Sequence, residues 1–134
     1  MRKINVFEKN NTDLEVFNDN RGTIADVFYN HPINHVAVIT SEPNVIRGNH
    51  YHKETTQHML MTKGSLEYWY KDFGSDEPAK MYVAKVGDLV STKPFEIHGL
   101  RICSEGNEFI VFSEGLRGGK DYESDTYRVD SIIG

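Results

Sequence analysis

One cysteine, Cys103, is all that the 134 residues contain, so the chain forms no internal disulfide and fits a reducing compartment. Free cysteine is usually buried, and Cys103 reads as a core residue. Long hydrophobic runs are missing as well. Stretches such as "HVAVI" and "FIVF" fall far short of the ~20 residues of a membrane-spanning helix. The beginning, "MRKINVFEKNNTD", turns polar before an apolar leader segment can form. No basic run exceeds "MRK", and 15 Lys and Arg against 20 Asp and Glu give a net charge of -5, the wrong sign for a phosphate-binding surface. No segment keeps a 3.6-residue apolar period for three turns. These absences exclude a disulfide scaffold, a membrane span, a nucleic-acid binder and a helical bundle. What is left is a cytoplasmic protein with one domain over 1–134, a length suited to a single core.

The sequence instead offers short β-rich runs between turn residues: "INVF", "LEVFND", "TIADVFY", "HVAVITS", "VIRGNHYH", "HMLMTKGSLEYWYKD", "AKMYVAKVG", "DLVSTKP", "IHGLRICS" and "EFIVFSEG". Strands this short and this closely spaced predict an all-β sandwich or small barrel. The last residues, after the "EGLRGGK" turn, add an edge strand or a short helix.

Within this pattern one stretch stands out, "RGNHYHKETTQHMLMTKG". On a strand, residues two apart share a face, so His50 and His52 project into one space with Cα atoms roughly 6.5–7 Å apart. Gln57 follows five residues later, and Gly64 seven after that, where a hairpin turns. A third histidine, His98, follows the Gly87-Asp88 turn and Pro94. His31, His35 and His58 fit no such spacing and read as surface or satisfied core residues, with His58 opposite in strand parity to Gln57. In "EYWYKD" the faces alternate, so Tyr68 and Tyr70 share one side and an inward tyrosine can stack on a ligand.

Residues 48 to 98 resemble the two-part signature of the cupin superfamily: a His-x-His pair, an acidic position that Gln57 occupies here, a glycine, then later glycine, proline and histidine. That resemblance implies a small jelly-roll (cupin) β-barrel with its site in the barrel mouth. Metal cupins of this pattern hold one divalent transition metal, with ligands that map onto His50, His52, Gln57 and His98. Gln57 replaces the usual acid and removes the anionic ligand, so no metal cofactor is the preferred reading. Three neutral imidazoles can still hold zinc or iron, which keeps the metal alternative open.

A narrower resemblance accounts for the glutamine. Arg47, Gly48, His50, His52, Lys53 and Gln57 are similar to a block in the nucleotide-sugar branch of the cupins, the dTDP-4-keto-6-deoxyhexose 3,4-ketoisomerases, and more distantly the dTDP-4-dehydrorhamnose 3,5-epimerases. "DNRG" upstream and "KDYESDTYRVD" near the end fit the same branch. The resemblance implies deoxysugar or polysaccharide biosynthesis, a nucleotide-linked keto-deoxyhexose as substrate, and a homodimer. The implied reaction moves a ketone between C4 and C3 through an enediol. Alternatives are a 3- or 3,5-epimerase on a similar nucleotide sugar, a metal-dependent dioxygenase-like cupin, and a sugar-binding cupin without turnover.

The residues suit proton transfer. Histidine titrates near neutrality, so His50 and His52 are the candidate base and its partner. Arg47 is the first candidate for the diphosphate, since guanidinium pairs two phosphate oxygens; Lys53 and Arg101 are second choices, and Gln57, His98 and Tyr70 complete the expected substrate contacts. On a regular strand Arg47 has the opposite parity to His50 and His52. It reaches their side only if the strand bends at Gly48 or a neighbouring subunit contributes.

Overall fold

A computed structural model describes residues 1–9, 12–115 and 124–134. The "LRGGK" part of the glycine-rich turn and residues 120–123 of "KDYESDTYRVD" lie outside them. The fold is all-β. Among the described residues, ten of twelve strands form two five-stranded antiparallel sheets, with β11 and β4 showing the regular inward-outward alternation of burial. The first sheet runs β1 (Arg2–Asn5), β9 (Asp88–Thr92), β6 (Thr56–Lys63), β11 (Asn107–Glu114), β4 (His35–Ser41). The second runs β12 (Tyr127–Arg128), β5 (Ile46–Tyr51), β10 (Glu96–Ile102), β7 (Leu66–Asp72), β8 (Lys80–Ala84). A separate hairpin joins β2 (Val16–Asp19) to β3 (Gly22–Ala25), with "DNRG" at its tip, where the Arg21 guanidinium pairs with Asp19. The expected tail strand is β12, at the edge of the second sheet.

Met59, Met61, Leu66, Tyr68, Val90, Ile102 and Phe109 interdigitate between the sheets as the core. The long run 58–72 splits into two strands at Gly64, where φ is +71° and a Cβ would come 2.5 Å from the Gly106 carbonyl oxygen. Cys103 is not in the core. It is half-buried in the turn after β10, with its Sγ donating to the Gly106 carbonyl at 3.0 Å and accepting from the Ser65 amide at 3.5 Å.

Candidate functional site

At one end of the barrel the core gives way to a cavity of about 540 Å³. Its apolar wall comes from the first sheet, through Ala37, Ile39, Met59, Phe109 and Val111; its polar wall comes from the second, through Arg47, His50, His98 and Tyr68, with Arg128 from β12. Gln57, Thr92, Ser113 and His35 close it from the first sheet.

The strand carrying the histidine pair is not regular. Gly48 and Asn49 have φ of +80° and +58°, and the β5–β10 register shifts between His98 and Gly99, so that Gly48 pairs with Gly99 and His50 with His98 while Asn49 is left over. This is a β-bulge, and one extra residue inverts the strand's parity. Arg47, paired with Leu100, therefore shares a face with His50, paired with His98, and both line the cavity. The bend that the sequence required at Gly48 is present. The Arg47 side chain is steadied at the rim by its Nε donating to Ser41 Oγ at 2.8 Å and its guanidinium donating to the Thr40 carbonyl at 3.1 Å.

His50, His52 and His98 form one buried cluster. Ring centroids lie 4.7 Å apart for His50 and His98, 4.9 Å for His50 and His52, and 5.5 Å for His52 and His98. Of these three, His50 and His98 line the cavity and His52 does not. β5 ends at Tyr51, so strand parity no longer governs His52, and its ring closes the cluster from behind at 1% exposure. Of the expected pair, His50 lines the cavity, with His98 beside it, and His52 stands behind them. Asp125, itself buried, fixes the turn that follows β5. Its carboxylate accepts the amides of Lys53, Glu54 and Thr55 and the Thr55 hydroxyl, and its carbonyl accepts His52 Nδ1 at 2.9 Å. These donors hold the Asp125 carboxyl below the usual carboxylate range against the opposing effect of burial.

Burial sets the charge of the two cavity imidazoles. It pushes the pKa of His50 down to about 3, with His98, His52 and Arg128 adding in the same direction. It pushes His98 down to about 4, helped by His52 and opposed by the hydrogen bond from His98 Nδ1 to the Glu96 carbonyl. Both rings are neutral at pH 7. Tyr68 moves the other way. Burial and the adjacent Glu96 carboxylate raise its pKa well above 10, so its hydroxyl, bonded to Thr92 Oγ1 and 3.2 Å from Glu96 Oε1, stays protonated.

Three expected contacts fall elsewhere. Lys53 follows the end of β5 and lies over the Tyr127 ring at 4.3 Å, outside the cavity. Arg101 is on the outer face of β10, ion-paired with Glu67 at 2.9 Å and donating to the Gly134 carbonyl. Tyr70 shares a face with Tyr68 but borders a depression beyond the cavity, beside Lys80 and Lys93. The inward tyrosine of the cavity is Tyr68. His35, Thr92 and Arg128 belong to the lining without having been singled out. Only the "TYRVD" likeness pointed toward Arg128, and His35 and Thr92 arrive through strand pairing that no local spacing encodes.

The metal that the cupin resemblance implies finds a fitting donor set. The three imidazoles each bring a ring nitrogen within 4.8 Å of the others. Where Nδ1 of His52 and of His98 donates to a backbone carbonyl, Nε2 carries the lone pair, the arrangement usual for metal-binding histidine. Gln57 brings a neutral amide to the same cavity from the facing sheet.

Several solved structures share this architecture. A 3,4-ketoisomerase from Helicobacter canadensis is 22% identical, with a TM-score of 0.72 over 87% of this chain and 86% of its own. The sugar 3,4-ketoisomerase QdtA from Thermoanaerobacterium thermosaccharolyticum, in complex with TDP, is 21% identical, with a TM-score of 0.70 over 87% and 85%. The 3'-monoepimerase ChmJ from Streptomyces bikiniensis, in complex with dTDP-quinovose, is 13% identical, with a TM-score of 0.73 over 89% and 68%. No curated protein matches the chain. The family model for the polysaccharide biosynthesis C-terminal domain matches residues 17–115, most of both sheets and every cavity residue except Arg128, and the chain belongs to that family.

Proposed function

We propose that the protein is an isomerase that moves the ketone of a nucleotide-linked 4-keto-6-deoxyhexose between C4 and C3. The observation that carries this reading is the imidazole of His50, which faces a largely apolar cavity beside a second imidazole, His98, and the Tyr68 phenol. His50 is the base. It takes the proton from C3 while the C4 carbonyl oxygen gains one, giving the C3–C4 enediol; loss of the C3 hydroxyl proton and protonation of C4 then leave the ketone at C3. The oxygens of the enediol are met by neutral donors of the lining, with the Gln57 amide first among them. His52, turned toward the Asp125 carbonyl, supports His50 from behind. Arg47 and Arg128 are the cations of the lining and suit the diphosphate. The apolar wall suits the 6-methyl group and the base.

A divalent metal on His50, His52 and His98 is a second reading, favoured by their convergence; such an ion supplies Lewis-acid polarisation of a carbonyl. We also infer a cytoplasmic homodimer. No helix among the described residues is long and apolar enough to cross a membrane. Among the described residues the β2–β3 hairpin pairs with neither sheet; it exposes Phe17 and Ile24, and edge strand β4 exposes Val36 and Val38.

The test is incubation with dTDP-4-keto-6-deoxyglucose, followed by NMR. A ketone at C3, formed equally with and without chelator, supports the proposal. A ketone still at C4 with exchange at C3 or C5 indicates an epimerase. Activity that chelator abolishes and added metal restores indicates the metal reading.

A further inference from the structure

A second imidazole cluster lies on the far side of the first sheet from the cavity. The alternation on β6 that turns Gln57 inward turns His58 outward, and β11 pairs Phe112 with His58, so Glu114, two residues beyond Phe112, shares that outer face. The connection between β3 and β4 folds back across it and brings His31, its ring stacked on Phe28 at 5.1 Å. Three segments distant in sequence thus converge on one atom: Glu114 Oε2 lies 2.8 Å from His31 Nε2 and 2.5 Å from His58 Nε2. His58 is nearly buried, with Phe28 edge-on to its ring at 5.0 Å and its Nδ1 2.6 Å from Ser91 Oγ.

We propose that His31, His58 and Glu114 form a binding site for one zinc-class divalent cation, separate from the barrel histidines. The three side chains bring their ligand atoms within 4.8 Å of one another, and two imidazoles with one carboxylate are a donor set that zinc takes readily. Ligands at about 2.0–2.2 Å from a tetrahedral ion sit roughly 3.3 Å apart. The present contacts therefore open by less than an ångström, which His31, on a connection and 37% exposed, can take up. Ser91 makes the exchange neutral for His58. Without metal, Nε2–H donates to Glu114 and Nδ1 accepts the Ser91 hydroxyl; with metal, Nδ1–H donates to Ser91 Oγ and Nε2 carries the lone pair. A cavity of about 210 Å³ adjoins His31, His58 and Ser91 and leaves room for water as the fourth ligand. The bound ion ties the β3–β4 connection to the two central strands of the first sheet, so it raises thermal stability.

The experiment uses the full chain stripped with chelator and titrated with Zn²⁺ by calorimetry and with Co²⁺ by visible absorption. The His98→Ala variant silences the barrel cluster, with His50→Asn in its place if His98→Ala does not fold. Expected is one saturable equivalent in that variant, tetrahedral Co²⁺ bands, and a rise in Tm with Zn²⁺. Adding His31→Ala, a substitution at a partly exposed position, removes the Tm rise and weakens the affinity at least about tenfold; Glu114→Gln does the same. Absence of saturable binding in the barrel variant overturns the proposal, as does a site of unchanged affinity after His31→Ala and Glu114→Gln, for the cluster is then a hydrogen-bonded His-Glu-His group only.

Discussion

Arg47 and His50 stand three residues apart yet line the same cavity, because the ladder between β5 and β10 skips Asn49. The skip depends on Gly48, whose φ is +80° and whose missing Cβ would meet the His98 carbonyl oxygen at 2.9 Å. Gly48→Ala is expected to destabilise the fold by about 1–3 kcal/mol, because it combines a left-handed conformation with a backbone clash. Urea unfolding measures this, and a midpoint equal to that of the parent contradicts it.

The second expectation concerns Asp125, which holds the turn after β5 and, through its carbonyl, the His52 ring. Asp125→Ala leaves three amides and a hydroxyl without their acceptor, and the expected loss is about 3 kcal/mol. Asp125→Asn keeps the shape and one carbonyl oxygen and is milder. Since Asp125 does not line the cavity, both variants are expected to lower kcat more than they raise KM, measured by steady-state kinetics under folded conditions.

The buried imidazoles fix the direction of acid sensitivity. His50 and His98 have folded pKa values near 3 and 4, below the 6.5 of the unfolded chain. Between those limits the unfolded state binds more protons, so stability is full above about pH 6.5 and falls as pH drops toward 4. The slope reaches up to about 1.4 kcal/mol per pH unit for each ring. Denaturant titrations of chelator-treated protein at pH 7 and pH 5 check this, and His98→Gln should flatten the difference.

How far the sequence carries can be judged residue by residue. Alternation placed Gln57 inside and His58 outside, and turn residues divided the strands nearly where they end, because both signals are local. The bulge at Asn49 was only conditional in the sequence, since "GN" is compatible with a regular strand as well. His52 lies one residue past the end of β5, where period-2 alternation no longer applies, and the Asp125 carbonyl that accepts its Nδ1 lies 73 positions away. Tyr70 and Tyr68 have equal parity, and only the position of the cavity along the barrel chooses between them. Lys53 and Arg101 illustrate the same limit, as a cation's neighbours across a sheet are not written in its own strand.

The exposed apolar hairpin gives a quaternary expectation. Phe17 and Ile24 are opposite one another on β2 and β3, 57% and 66% exposed. Replacing both by aspartate removes apolar area without touching the barrel. Sedimentation is expected to show a dimer for the parent chain and a monomer for Phe17→Asp with Ile24→Asp; a parent chain that sediments as a monomer contradicts the homodimer.

The role given to His50 is tested most directly by hydrogen exchange on the sugar. With dTDP-4-keto-6-deoxyglucose in D₂O, the parent protein is expected to place deuterium at C4 of a 3-keto product. His50→Asn, still folded and still binding the nucleotide sugar, should do so at least about a hundredfold more slowly. Deuterium incorporated by His50→Asn at the parent rate would contradict it.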